Sequence, residues 1–516
     1  MNLLIDPILT LAGGERVSLP GLFAALAGRR ARGFPALRAH QRPAWHMFLV
    51  QLAALALWHA KRAARRPSEI PADPVSWADA LRALTANHPD DAPWRLVVDD
   101  DAKPAFLQPP APPGLKWTPV RTPDELDVLI TSRNHDLKQT IAYQAAAEDW
   151  VFALVSLQTS EGYSGRDNHG IARMNGGSSS RPLLGFAPAS ADNETAIDPA
   201  SWWMRDVLLL LELRAENRDR TIGTPDGPAL LWCLEWPERQ QLDLRTLDPW
   251  FIEVCRRVRL HLGDVIRARR STSKATRVDA KQLKGMVGDP WAPVHKTEKK
   301  SLTLSGGDFD YRRLWTLLFS GDWEVPPLAE ENASGPEQML LVAEALARGN
   351  AKTEGFKSRV LPIPGRVARR MFSSPTAATL SQFQMKEIEG FDTALRTSLA
   401  LVAARGDPAL LNRDHYACTR PARTRFNQEV DRLFFPNLWR RVEAAADPNA
   451  AETAKTDFLK ELHRAAQDEF DGALPAIPCT AIHRPRAEAR ARRRFGNTLR
   501  RSYPELFTVE DNDAAA

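Results

Sequence analysis

The sequence predicts an α+β chain, with a mixed α/β N-terminal domain over residues 1–370 and a C-terminal four-helix bundle over 376–516. Two observations lead there. Before Pro375, strand-like and helix-like stretches interleave with glycine- and proline-rich connections; after it, one helical apolar repeat follows another. A chain of 516 residues is also long enough to divide into at least two cores.

In chain order, residues 2–11 read as a short strand stopped by Gly13-Gly14, and Ser18 with Pro20 marks the start of a helix over Leu19–Leu26. From Leu37 to about Arg65 apolar residues recur at helical spacing through Trp45, Phe48, Leu49, Leu52 and Leu55, which predicts a long central helix. Prolines 104, 109, 110, 112 and 113 make the next passage irregular, and a second helix is expected over Thr140–Thr159. A helix over Val207–Leu213 and strands over Ala229–Glu235 and Phe251–Leu260 follow, the last with Arg257 and Arg259 on one face. Tyr311–Leu318 starts another helix or strand. Pro336–Ala347 carries proline in a first turn and Gly349 past its end, the start and stop chemistry of a helix. Arg348–Arg359 then reads as a hairpin or tight loop; its resemblance to a phosphate loop fails because Ala351 replaces the glycine before the lysine.

The bundle rests on four periodic sets: Leu380, Phe383, Ile388, Phe391, Leu395 and Leu399; Phe426, Val430, Leu433, Leu438 and Val442; Phe458, Leu459, Leu462 and Phe470; and a last segment from Arg484.

With 69 Lys and Arg against 64 Asp and Glu, the net charge of +5 is modest, so the placement of cations carries the information. Three tracts stand out. Glu161–Gly185 sets six glycines among Arg166, Arg173, Arg181, Asn168 and Asn175, a backbone suited to close approach and a side-chain set suited to phosphates or base edges. Arg267–Lys300 is rich in lysine and arginine, and the final helix carries Arg484, Arg486, Arg490, Arg492, Arg493, Arg494, Arg500 and Arg501 against Glu488 alone, which points to a polyanion. The four cysteines stand far apart with no CxxC pair, so neither a zinc knuckle nor a disulfide framework is indicated and a reduced, cytoplasmic setting fits. The N-terminus has no basic region ahead of its apolar run, and Met47–Trp58 is too short to span a bilayer, so no membrane is implied. Asp167-Asn168-His169 and Asp414-His415 form no metal pattern, and Gly162-Tyr163-Ser164-Gly165 misses the nucleophile elbow because Arg166 stands where its second glycine belongs. A metal-dependent nuclease and a stand-alone DNA-binding protein remain as alternative classes.

The order of several segments carries a family resemblance. These are the MNLLIDP opening, Ser132–Asp136, Gly170–Gly177 with Ser180-Arg181-Pro182, Ile252–Leu260, Gly288–Trp291, Lys352–Gly355 and the terminal helices. In that order the chain resembles the large-subunit family of type I-E Cascade, the CRISPR RNA-guided surveillance complex, a family also called CasA. The resemblance implies an N-terminal domain of unusual fold and a non-catalytic role without cofactor or structural zinc. Its implied partners are the backbone, small and handle-binding subunits, the guide RNA, double-stranded target DNA and a recruited helicase-nuclease.

In that family a glycine loop, a lysine finger and a wedge read the protospacer-adjacent motif from the minor groove, whose degenerate code tolerates several motifs. Carried onto this sequence, the loop falls on Gly162, Tyr163, Ser164, Gly165 and Arg166; the finger on Lys296, Lys299 or Lys300; and the wedge on Asn350, Ala351 and Lys352, with Asn350 where relatives often present glutamine. Arg133, Asn134, His135, Asp136 and Lys138 resemble the segment that grips the 5′ handle of the guide RNA. Arg484, Arg486, Arg490, Arg493 and Arg494 are expected on DNA backbone phosphates.

Overall fold

The computed structural model describes residues 1–516 apart from 62–63, 128–144, 166, 177–178, 219–221, 330–337, 350–351, 373 and 508–516. It divides into two compact units, Met1–Phe309 with Gly321–Pro362, and Asp310–Ser320 with Ile363–Ala516.

The first unit is built on helices α1 (Leu19–Ala27), α2 (Arg42–His59), α3 (Pro74–Ala83), α4 (Ala147–Ser160) and α5 (Pro199–Ala215). Ser18 caps α1 by accepting from the Gly21 N–H, with Pro20 in the first turn, as the sequence predicts. Helix α2 is the centre of the core: Pro43 through Leu57 are all buried, and α3, α4 and α5 pack on it. A helix buried all round must satisfy its polar side chains internally, and Gln51 does so by donating to the Trp250 carbonyl at 3.2 Å.

The strands used below are β1 (Thr118–Val120), β2 (Leu183–Ser190), β3 (Asn193–Ile197), β4 (Arg257–Leu262), β5 (Ile266–Ser271), β6 (Val294–His295), β7 (Lys300–Ser301), β8 (Trp323–Glu324), β9 (Gln338–Gly349) and β10 (Lys352–Pro364). They form sheets in the orders β10-β9-β2-β3, β1-β5-β4 and β7-β6-β8. Strands β9 and β2 are antiparallel, from Met339 opposite Pro188 to Glu344 opposite Leu183.

Strand β9 corrects the helix expected over Pro336–Ala347. Met339 through Ala347 are buried continuously, Glu344 among them, because both faces of this strand are covered. A strand buried on both faces shows no alternation, and its Leu, Ala and Met content mimics a buried helix until the sheet neighbours are known. Three other strands are shorter than expected: residues 2–11 contribute only Leu9–Thr10, Ala229–Glu235 holds a 3-10 turn at Leu231–Cys233, and Phe251–Leu260 becomes regular only from Arg257. Helix α4 begins at Ala147, and residues 140–144 of the expected helix lie outside the described residues.

The second unit contains α6 (Tyr311–Phe319), α7 (Thr376–Ala403), α8 (Arg420–Ala444), α9 (Pro448–Ala473) and α10 (Arg484–Ser502). Helices α7 to α10 form the expected bundle, with one residue every three or four buried, such as Phe391 and Leu395, Phe426 and Val430, Phe458 and Leu462, and Ala491 and Phe495. Phe470 stacks on Phe495 with centroids 4.6 Å apart, and Phe391 on Tyr503 at 4.8 Å. Gly390 leaves room for that tyrosine: a Cβ there would sit 2.1 Å from its hydroxyl.

The units differ from the expected division at 1–370 and 376–516. Helix α6 belongs with the bundle because the Tyr311 N–H donates to Asp431 at 2.6 Å, its hydroxyl to Asn427 at 2.7 Å, and Trp315 to Ser381 at 3.1 Å. The chain therefore visits the second unit once before it enters it for good at Ile363.

Candidate nucleic-acid interface

Helix α4 delivers the chain into the glycine-rich stretch at Glu161. A bridge between Glu161 and Ser180 closes the ends of the stretch, and the Ser180 N–H donates to the Leu346 carbonyl of β9 at 3.0 Å. Gly165 and Asn168 exchange main-chain hydrogen bonds at 2.7 and 3.2 Å, and Asp167 takes φ 59°. The glycines at 162 and 170 permit close approach, but to the chain's own backbone: a Cβ on Gly162 would lie 2.1 Å from the Ser179 carbonyl oxygen, and one on Gly170 2.6 Å from that of Gly162. Their lack of side chains folds the loop tightly and leaves Tyr163 and Ser164 exposed at its outer side.

Two arginines of the stretch are internal, so within Gly170–Pro182 they shape the loop rather than face a phosphate. Arg181 is 2% exposed and binds Asp289 through two hydrogen bonds of 2.6 and 2.7 Å, with a third to Gln51 at 3.0 Å. Arg173 lies 3.9 Å above the Phe251 ring, and burial lowers its pKa to about 10. Arg257 and Arg259 of β4 are buried as well; Arg259 donates to the carbonyls of Lys103, Val98 and Asp100 at 2.9 to 3.1 Å. Arg166 lies outside the described residues.

Glu253 supports the stretch from beneath. Both of its oxygens accept from the Ala172 N–H at 2.8 Å, and burial raises its pKa from an ordinary 4.5 to about 7. The folded protein keeps this proton to a higher pH than the unfolded chain does, so stability falls as pH rises between those two values. Glu253→Gln, which stays neutral, should remove a pH-dependent loss of about 3 kcal/mol across that window. Urea unfolding of both proteins at pH values across the window checks this; parallel curves would contradict it.

Beside the loop lies a cleft of about 410 Å³. Tyr163, Asn168, Lys116, Arg256 and Arg270 line it, with Glu161 and Asp127 on the acidic side. Arg256 donates to the Tyr163 carbonyl at 2.9 Å and so holds the exposed ring's backbone in place. Asp127 is the last described residue before 128–144, the segment containing Arg133, Asn134, His135, Asp136 and Lys138; these five lie outside the described residues.

Lys296, Lys299 and Lys300 sit on the β6–β7 hairpin, where Lys299 takes φ 49°. Lys300 is neutralised by Glu298, whereas Lys296 and Lys299 are exposed and have no ion-pair partner among the described residues. A lysine that the sequence reading did not single out is the one in direct contact with the glycine loop: Lys274 pairs with Asp167 at 3.6 Å, and the neighbouring Ser273 N–H donates to the Asp167 carbonyl at 3.1 Å. Its only sequence signal was membership of the basic tract from Arg267. Strands β9 and β10 lie side by side and are joined by two residues, Asn350 and Ala351, which lie outside the described residues. Lys352 opens β10 immediately after them.

On α10 the arginines divide by role. Arg484 donates to the carbonyls of Leu474 and Ile477 and to Glu488, Arg490 to the Gly406 carbonyl at 2.8 Å, and Arg492 to Asp471. Arg486 and Arg493 are exposed and Arg494 half-buried, and none of the three has a side-chain partner among the described residues. Arg486, Arg493 and Arg500 follow one another at intervals of seven, opposite the buried Ala487, Ala491, Phe495 and Leu499, so they share the outer face.

Among the described residues no three His, Cys, Asp or Glu side chains are arranged to hold a metal ion, and no helix is long and apolar enough to cross a membrane. The four cysteines are free thiols.

Fold and surface together define a two-unit α+β protein that presents an exposed loop and separate cationic elements. Solved structures sharing this fold include CasA from Thermus thermophilus, with TM-score 0.64, 17% identity and coverage of 97% of this chain and 99% of that one. Cse1 from Thermobifida fusca gives TM-score 0.64 at 15% identity and 98% coverage of both chains. A chain from a structure described as a CRISPR RNA-guided surveillance complex gives TM-score 0.57 at 16% identity, covering 96% of this chain and 99% of that one. No protein-family model and no curated protein sequence matches. The chain thus has the CasA fold over nearly its whole length.

Proposed function

We propose that the chain is the large, non-catalytic subunit of a type I-E CRISPR Cascade effector. It recognises the protospacer-adjacent motif of double-stranded DNA through the minor groove, helps open the duplex for guide RNA pairing and contributes to recruiting the helicase-nuclease. The observation that carries this reading is the end-to-end fold likeness to CasA, with little of either chain left over. Its partners are then the other Cascade subunits, the guide RNA and target DNA, in the cytoplasm. Co-expression with the other subunits tests it: the chain should co-purify with guide RNA only through them. An isolated chain with full sequence preference would favour a stand-alone DNA-binding protein, and divalent-metal-dependent cleavage would favour a nuclease.

In this reading Tyr163 and Ser164 meet the duplex at the motif, Asn350 with Lys352 forms the wedge and one of Lys296, Lys299 and Lys300 forms the finger, with Lys274 a further candidate because its tie to Asp167 fixes it beside the loop. The handle segment around His135 anchors the guide RNA. Asn350→Ala, Lys274→Ala and Lys299→Ala should leave assembly intact, and the wedge and the true finger should each weaken binding to motif-bearing DNA about tenfold. Gel-shift titrations with matched and motif-scrambled targets measure this; unchanged affinity in all three variants would refute the site.

A further inference from the structure

Behind the glycine-rich stretch, on the side of residues 164–176, the first unit contains a second, larger cavity of about 610 Å³. Among the described residues no carboxylate lines it. Its polar lining includes Lys281, Lys284, His169, Asn175, Gln241 and Gln282, and its apolar walls include Ile171 and Val278. Neither Lys281 nor Lys284 has an ion-pair partner among the described residues, and both are exposed, although Glu298 lies near enough to Lys284 to feel its charge. His169 also lines it, half-buried, with its Nε2 shielded from solvent and without a hydrogen-bond partner. Burial first, then Arg256 and Lys281, lower the pKa of that histidine against the opposing pull of the Ser273 backbone and Asp167.

Amide side chains that can both donate and accept, apolar walls and a cationic rim are the parts of a site for a ligand with an anionic head and a flat, hydrogen-bonding body. We propose that this cavity binds a mononucleotide, with its phosphate on Lys281 and Lys284 and its base against Ile171 and Val278 within reach of the amides of Asn175, Gln241 and Gln282. A cavity of this volume lies within the usual range for small-molecule sites of roughly 300–1,000 Å³. The nucleotide can be a free nucleoside monophosphate or one turned out of a nucleic-acid strand, since both present the same phosphate and base. The proposal does not rest on the motif-reading role.

Calorimetry of the full chain with adenosine 5′-monophosphate, adenosine and inorganic phosphate tests it. Saturable binding of the monophosphate is expected, with adenosine and phosphate each weaker by about tenfold or more. The double variant Lys281→Gln, Lys284→Gln should weaken the monophosphate by about tenfold, and Ala275→Trp, on the half-exposed wall, should abolish binding. Circular dichroism and melting curves like those of the parent show that these variants are folded. Competition with an oligothymidylate separates the sources: displacement of the monophosphate identifies a strand nucleotide, and its absence a free one. Phosphate binding as tightly as the monophosphate, the same affinity in both variants, or no saturation by either the monophosphate or the oligothymidylate at millimolar concentration would each overturn the proposal.

Discussion

Arg181→Ala is expected to cost about 3–5 kcal/mol of unfolding free energy, while leaving no specific defect in DNA binding that stability does not explain. The guanidinium is buried, holds Asp289 by two short hydrogen bonds, reaches the Gln51 oxygen of helix α2 and lies 5.1 Å from the Trp291 ring centroid. Truncation leaves the Asp289 carboxylate, itself buried, without its counter-charge, and that uncompensated desolvation dominates the loss. The size follows from burial; the same pair at the surface would be worth less than about 1 kcal/mol. Urea denaturation followed by tryptophan fluorescence measures it. A second variant, Arg181→Met with Asp289→Leu, removes both charges and should recover much of the loss. Should Arg181→Ala instead unfold like the parent yet bind DNA less tightly, the arginine would be a phosphate ligand after all.

Replacing Arg486, Arg493 and Arg500 together by glutamine is expected to reduce the salt dependence of duplex binding by the assembled complex. Each phosphate neutralised contributes about 0.9 to the slope of log K against log salt, so three lost contacts lower it by nearly 3. Seven residues of helix rise about 10 Å, which spreads these cations along one outer face as a charged stripe rather than a cluster. Glutamine keeps the helix propensity and leaves the buried Ala487, Ala491, Phe495 and Leu499 untouched, so the bundle should lose no more than the stacking of Arg500 over Phe507, 5.3 Å from its ring centroid, worth about 0.5–1 kcal/mol. Arg484 and Arg490 provide the contrast. Their hydrogen bonds to the carbonyls of Leu474, Ile477 and Gly406 dock the helix, so their loss should lower stability with a smaller change in slope. An unaltered slope in the triple variant would mean that the stripe faces protein instead.

Both expectations turn on a distinction between arginines that are identical in sequence terms. Arg166, Arg173 and Arg181 look alike among their glycines, yet Arg181 ends on Asp289 and Arg173 on Phe251, partners 108 and 78 positions away. Lys274 carries the reverse lesson. It was one cation in a tract, and its pairing with Asp167 across the fold is what singles it out.

What the sequence by itself determined is whatever depends on neighbours a few residues apart. The Ser18 cap, the course of helices α2 and α7 to α10 and the exposed arginine face of α10 follow from spacing and end chemistry, because helix periodicity and capping are local. The tertiary structure decided what depends on distant partners. It made a strand of Gln338–Gly349 by covering both of its faces, assigned Tyr311–Phe319 to the bundle through Asp431 and Asn427, and turned the glycines at 162 and 170 toward the chain's own backbone. In each case the deciding atoms lie outside the local repeat, and a desolvated charge or a filled strand face has no signature until those atoms are brought beside it.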